Sequence, residues 1–581
     1  MTTTTYWLIA ILILASALRL VGLEAGDPMN DEVTYAFRAI GLVDSFNDPG
    51  VQSTPWEWFD PQIPWWAQLS FHDHPPMVFW VQNIFMRLFG ESRFAFRLPS
   101  AILGIASVAL LFLVANRLFS ARVGLLSAAL LAVTVNHVYV SRVGLQEAYV
   151  IFFILLALYL FLKALENEKY FILTGLAVGL GLLAKYTAAV LVPILVTYLV
   201  LFRPRALRQK HFWIGVALAV AVASPIAIYN FKLYQATGHL DLQFSYLLGK
   251  VPDVWSKTPG KDIGSFADRA SIFLPRLLAS QSWLLLALAG SSLATLLLAV
   301  LKRGGEALRP YALAIIASAY ILAMIMLTGP AIRFLTLLTP FLAIAAALVL
   351  NAASLRLPRA VTHLGTLAIA LTLAFESFYA INNQLTFYPI GPRPWLSSPL
   401  RYENYNWGYN ALDDWLNREL EGKIPALTFE TKYRFIRDIQ NSALEEGRRR
   451  GDKPYPALII FYGNFDLAPE LWIFDRRLLY QAWPIMAFKD YLRLAASAGP
   501  NALAQAWFAP PEARTTGAAD ARGILPLTGF ERIYLIMQTN IAPAPEFLAM
   551  TKGLAPISIQ NPRGEEVFRV YKASAPQAVR Y

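Results

Sequence analysis

Eleven long apolar runs, with basic residues concentrated in every second connection between them, constrain this chain more than any other feature. They are Tyr6–Leu23, Leu98–Asn116, Val123–Val140, Tyr149–Leu162, Tyr170–Ala184, Thr187–Leu201, Phe212–Tyr229, Leu277–Leu301, Tyr311–Thr328, Ile332–Leu350 and Val361–Ala380. A helical run of about 18 residues covers ~27 Å, close to the ~30 Å hydrocarbon core of a bilayer. Only 15% of the 581 residues are charged and 56% are hydrophobic. A soluble domain is nearer ~25% charged. The pattern predicts an α-helical polytopic membrane protein of about 11 transmembrane helices.

The basic loops orient it. Arg117–Arg122, Lys163–Lys169, Arg203–Lys210, Lys302–Arg309 and Arg356–Arg359 follow the second, fourth, sixth, eighth and tenth runs. Lys and Arg collect on the cytoplasmic side, so that side is the cytoplasm and the N-terminus lies on it. The same rule accounts for the net charge of +11 without nucleic acid. The first run lacks both a basic lead and a small-residue cleavage site, which predicts an uncleaved span in the plasma or inner membrane. Without cysteine the chain has no disulfide or thiolate chemistry. Pro75–Phe89 is short, carries Gln82, Asn83 and Arg87, and would break the alternation if counted as a span. It reads as an interfacial helix lying along the membrane.

This topology divides the chain into a transmembrane domain, 1–381, and an external soluble α/β domain, 382–581. The first has long external loops at 24–96 and 230–275. In the second, Ala411–Leu420 is an amphipathic helix candidate, and Ala457–Tyr462, Arg532–Met537 and Glu566–Tyr571 are strand candidates. Gly391–Pro394 reads as turn and Ala509–Ala521 as a surface loop.

The external side also collects the chemistry. Asp31, Glu32 and Tyr35 follow the first run, and His72, Asp73 and His74 precede the interfacial helix. Arg142 and Glu147 lie in the second external loop, Lys185 between two runs, and Arg333 after the Gly329-Pro330 turn. A charge at an apolar boundary usually has a partner. Lys185 and Arg333 are placed to meet a lipid phosphate, or else they snorkel to headgroups or pair with a carboxylate. A carboxylate can take the proton of a hydroxyl acceptor while cations stabilise a leaving phosphate. Glu147 supports a divalent cation, orients the acceptor, or is a helix N-terminal charge favoured by the dipole. His74 is a phosphate or acceptor contact, or simply the residue before a proline-led helix.

Asp31-Glu32-x-x-Tyr35, His74-Pro-Pro-Met, Arg97-Leu-Pro-Ser, Ser141-Arg142 with Glu147, the Gly-rich run ending in Lys185-Tyr186, and Arg333-Phe334 with Pro340 occur in that order. Together they resemble the protein O-mannosyltransferase and aminoarabinose transferase group of the C-type glycosyltransferase superfamily. At Glu147 that group usually has Asp. The resemblance implies a membrane glycosyltransferase that moves a monosaccharide, with inversion, from a polyprenyl-phosphate donor to a hydroxyl acceptor on the external face. It implies Asp31 as catalytic base with Glu32 supporting it, and His74, Lys185 and Arg333 around the donor phosphate. Glu147, Arg142 and Tyr35 would then support the acceptor or a metal. No cofactor is required on this reading, and a divalent cation at Glu147 stays open. The partners are the donor, a hydroxyl acceptor on protein, lipid or envelope glycan, and the bilayer, with no nucleic acid. Two other readings stay open: a transporter or flippase for a lipid-linked or anionic substrate, and a non-catalytic assembly scaffold of the same fold.

Overall fold

A computed structural model describes residues 2–28, 30–44, 59–250, 264–356, 362–400, 407–431, 433–498, 507–508 and 530–574. Trp56–Trp58 and the expected loop Ala509–Ala521 lie outside them. The chain packs into two compact units. One is built from Met1–Glu24, Leu69–Lys250 and Thr258–Glu403, the other chiefly from Ala25–Gln68 and Asn404–Tyr581.

The first unit is a multi-pass helical membrane body. Among the described residues seven apolar helical stretches are long enough to cross a bilayer, or eight if the bent pair Ala121–Val133 and Val135–Arg142 counts as one span. The sequence reading expects about eleven, counting shorter apolar runs as well. One of the seven, Trp283–Thr328, holds two helices, Trp283–Arg303 and Ala312–Thr328, joined by a 3-10 turn. The expected spans at 170–184 and 187–201 form short apolar helices, the first of 15 residues. At ~1.5 Å per residue such a helix covers only about 22 Å. Met77–Phe89 is likewise a 13-residue helix. The described parts of the 230–275 stretch, 230–250 and 264–275, carry helix. The preceding helix runs on to Thr237, and Phe266–Ser280 is a helix whose Ser265 and Asp268 form a capping box.

Local chemistry explains the irregular places. The helices Ala121–Val133 and Val135–Arg142 meet at 59°, and Thr134 between them is extended. A bend inside a membrane frees backbone carbonyls, which there cost several kcal/mol if unmet. Arg19 of the first helix, fully buried, meets them: it donates to Ala132 O (2.9 Å) and Leu131 O (3.3 Å), and lies 2.7 Å from His137 Nδ1. Gly175 and Gly215 set another contact. A Cβ on either would run into the backbone of the opposing helix, at Gly215 and Phe171 respectively, so small residues let the two helices touch.

Three arginines fasten the end of the first helix. Arg142 donates to Leu18 O (2.9 Å), Val21 O (2.8 Å) and Gly22 O (2.7 Å). Arg97 takes Leu23 O at 3.1 Å and Arg93 takes Glu24 O at 3.3 Å. The orphan carbonyls of a helix C-terminus need such donors.

The second unit is α/β. Its strands are β1 (Lys423–Pro425), β2 (Glu430–Thr431), β3 (Lys453–Tyr455), β4 (Ala457–Tyr462), β5 (Ile485–Ala487), β6 (Trp507–Phe508), β7 (Arg532–Gln538), β8 (Pro556–Gln560) and β9 (Glu566–Ala573). The main sheet has the order β5-β4-β7-β9-β8. β4 pairs in parallel with β5 and β7, while β9 pairs antiparallel with β7 and β8. β4 and β7 are buried almost throughout, as central strands covered on both faces should be. The three strands and the helix expected from the sequence are present, the helix as Tyr409–Leu420.

The Asn30–Gly41 helix belongs to this unit. Asp27, just before it, is buried and accepts from the backbone N–H of Asn410 (2.8 Å) and Trp407, so it caps the Tyr409–Leu420 helix from a distant part of the sequence. Tyr480 holds the other end. Its hydroxyl donates to Phe37 O at 2.9 Å, and its ring meets Phe37 edge-on.

Candidate active site

Lys185 sits where the Tyr170–Ala184 helix stops. Its backbone is extended, and its N–H closes the last turn onto Gly181 O. Arg333 precedes the 3-10 turn Phe334–Leu338, after Gly329 at φ +99°. Glu147 opens the Glu147–Ala164 helix, where the helix dipole favours an acid. These three elements bring two cations to one carboxylate. Lys185 Nζ is 2.6 Å from Glu147 Oε1, and Arg333 Nε is 3.8 Å from the same oxygen. The Phe334 ring lies under both, at 4.7 Å from Lys185 and 5.3 Å from Arg333. Thr336 donates to Asn136 Oδ1 at 2.7 Å, which ties the turn carrying Arg333 to the bent span. Glu147 is buried, whereas the Arg333 side chain is 33% exposed. Two cations of different elements thus meet at one buried carboxylate.

A second network adjoins it through Tyr186, the residue after Lys185. Tyr186 donates to Asp241 Oδ2 at 2.7 Å. Asn230 braces the same carboxylate, giving Nδ2 to Oδ2 (3.0 Å) and taking the Asp241 N–H on Oδ1 (2.9 Å). Asp241 also accepts from Phe244 N at 2.7 Å, as the N-cap of the Leu242–Leu247 helix. Burial pushes its carboxyl above the ordinary 3.8 despite these bonds. Leu242 N then donates to His72 O at 2.7 Å, which attaches the 70–74 loop. Within that loop Asp73 lies 2.9 Å from His74 Nδ1 and 3.6 Å from His72 Nε2.

The membrane unit thus gathers Glu147, Lys185 and Arg333, with the His74 loop reached through Tyr186 and Asp241. Arg142 is engaged with the three carbonyls at the end of the first helix. Asp31, Glu32 and Tyr35 belong to the other unit. There Asp31 and Glu32 occupy the first turn of their helix, and Tyr35 donates to Asp31 Oδ2 at 3.3 Å, one turn on. Glu32 is buried and Asp31 partly exposed. Among the described residues no three His, Asp or Glu side chains come together as a group able to hold a metal ion. Glu147 faces cations instead of further oxygen ligands.

Asn230, Asp241 and the buried Arg19 escape the sequence reading, and Tyr186 enters it only as the neighbour of Lys185. Asp241 had a signal, because an Asp shortly after Gly238, and before Leu-Gln-Phe, is an N-cap pattern. Arg19 had one too, as an arginine inside an apolar span.

The fold is ArnT-like. The ArnT of Cupriavidus metallidurans, solved bound to undecaprenyl phosphate, aligns over 99% of both chains with TM-score 0.53 at 14% identity. An oligosaccharyltransferase of Archaeoglobus fulgidus aligns over 83% of this chain and 64% of its own, with TM-score 0.46 at 14% identity. The S. cerevisiae Pmt1-Pmt2 protein O-mannosyltransferase complex aligns over 43% of this chain and 34% of its own, with TM-score 0.30 at 22% identity. No curated protein matches by sequence. Residues 73–229 match the family described as dolichyl-phosphate-mannose-protein mannosyltransferase.

Proposed function

We propose that the chain transfers a monosaccharide from a polyprenyl-phosphate donor to a hydroxyl acceptor on the outer face of the membrane, with inversion at the anomeric carbon. The observation that carries this reading is the convergence of two cations, Lys185 and Arg333, on Glu147 beside the membrane-spanning helices. That ArnT binds undecaprenyl phosphate supports a polyprenyl phosphate here.

The acceptor oxygen attacks the anomeric carbon, and the bond from that carbon to the phosphate oxygen breaks. Asp31 takes the acceptor's proton, a general-base role typically worth about 10²–10⁴-fold in rate. The polyprenyl phosphate leaves with the electron pair, and Lys185 and Arg333, with His74, stabilise its charge. Glu32 and Tyr35 support the base, and Glu147 sets the positions of the two cations. Arg142 fixes the end of the first helix. The basic loops support a cytoplasmic N-terminus and an external C-terminal unit.

The test is a transfer assay in detergent with a panel of polyprenyl-phosphate sugars. Wild type should release polyprenyl phosphate with one of them. Asp31→Asn keeps shape but loses the base, and should fall to background. Wild-type turnover in Asp31→Asn would contradict the assignment.

A further inference from the structure

Gln146 precedes Glu147 of the cation cluster. It closes a turn that other side chains hold rigid. Gln82 Nε2 donates to Gly144 O (3.0 Å) and Phe96 O (3.1 Å), and Ser100 donates to Leu145 O at 3.3 Å. Gln146 itself is fully buried, yet neither its amide oxygen nor its amide nitrogen meets a hydrogen-bond partner among the described residues. It does not cap the helix it precedes. Two neighbours share the condition. Glu147 Oε2 and the Tyr149 hydroxyl are buried and unmatched among the described residues. Positions three apart share a helix face, so Tyr149 follows Gln146 on one side of the helix.

A buried polar group left unmatched costs about 1–3 kcal/mol, so such a group calls for an explanation. A ligand that supplies the missing bonds is one, and the amide's chemistry narrows which ligand. The amide offers two N–H donors and one carbonyl acceptor. A phosphate uses only the donors, and Lys185 and Arg333 already supply those. A sugar hydroxyl both gives and accepts a proton, so it satisfies both ends of a primary amide. We propose that Gln146 reads a hydroxyl of the donor's sugar and is a specificity-determining residue of this enzyme. This rests on the polyprenyl-phosphate-sugar reading above.

The experiment compares binding of bare undecaprenyl phosphate with that of undecaprenyl-phosphate hexoses, mannose first, to the full chain in detergent. Wild type and Gln146→Met are measured, with melting recorded without ligand. Wild type should prefer one sugar-bearing lipid. Gln146→Met should keep its affinity for the bare lipid and lose about tenfold of that preference, the size of one such bond. Its unliganded melting should be unchanged or higher, because an unmatched amide has been replaced by an apolar group of similar shape. Gln146→Leu repeats the comparison with a different side chain. Retained sugar preference in both variants overturns the proposal. So does a lowered unliganded melting temperature or a failure to fold in both, either of which would assign the amide to the architecture. Wild-type binding of the bare lipid with no sugar preference also overturns it while leaving the phosphate site standing. If wild type binds neither lipid, the donor reading itself fails and this proposal falls with it.

Discussion

Each unit of this protein contains one carboxylate set between two cations, and the two clusters are finished differently. In the soluble unit Asp413 Oδ1 lies 3.2 Å from Arg476 and 2.7 Å from Arg477, and Oδ2 accepts from Trp472 Nε1 at 3.2 Å. Arg477 continues to Asn417 (2.6 Å), and Arg476 stacks 4.3 Å over Trp472. Asp413, Arg476 and Arg477 are all buried. In the membrane unit only one oxygen of Glu147 is used, Arg333 stands 3.8 Å away, and its side chain is one-third exposed. A saturated cluster has nothing left to offer and is architecture. A cluster whose carboxylate keeps an unused oxygen among the described residues, beside a partly exposed arginine, has capacity for a ligand. Charge count alone does not separate the two; hydrogen-bond saturation does.

The sharpest way to break this contrast is Asp413→Ala. It would leave two guanidinium groups buried without their carboxylate, which costs about 3–5 kcal/mol. Denaturation of the full chain should show a large loss of stability. Unchanged stability would mean that the saturated cluster is not structural. Arg333→Lys should do less. It keeps the charge but loses the planar fork and the contact with the Phe334 ring, worth about 0.5–1 kcal/mol. Donor binding should weaken by roughly twofold to fivefold, with melting unchanged. Full donor affinity in Arg333→Lys would reduce Arg333 to a point charge.

The smallest effect concerns Asp241. Burial raises its folded pKa above 3.8, so the folded state holds that proton more tightly than the unfolded chain. The stability this gives is complete below 3.8 and is lost as pH rises through the raised value. Asp241→Asn keeps an acceptor for Phe244 N, replaces the oxygen that takes Tyr186 and Asn230 by an amide nitrogen, and should remove that pH-dependent loss. Melting measured across that window would test it, and identical pH profiles for wild type and variant would contradict it.

The membrane class was legible because apolar period and basic loops are local properties of the sequence. The same holds for β4, β7 and β9, whose apolar runs are bounded by turn residues. The span count was less legible. Runs at 170–184 and 187–201 read as spans by composition, but the helices they form are short. Stretch 230–275 read as loop because its polar residues masked the Phe266–Ser280 helix, although Ser265 and Asp268 carried its start signal. In the site, Glu147, Lys185 and Arg333 each had a local sign, a charge at an apolar boundary. Their union on one carboxylate did not. Asp241 and Gln146 were hidden for the same reason. Their significance comes from burial and from partners far away in sequence, which no window of residues contains.

The most direct test of the central claim is the affinity of the full chain for undecaprenyl phosphate, measured for wild type and Lys185→Ala. A lost charge-assisted bond of ~1.5–3 kcal/mol should weaken binding about 10- to 150-fold. The accompanying loss of stability should be well below that of Asp413→Ala. Equal affinity in the two proteins would contradict the account, and would make the Glu147 cluster a second piece of architecture.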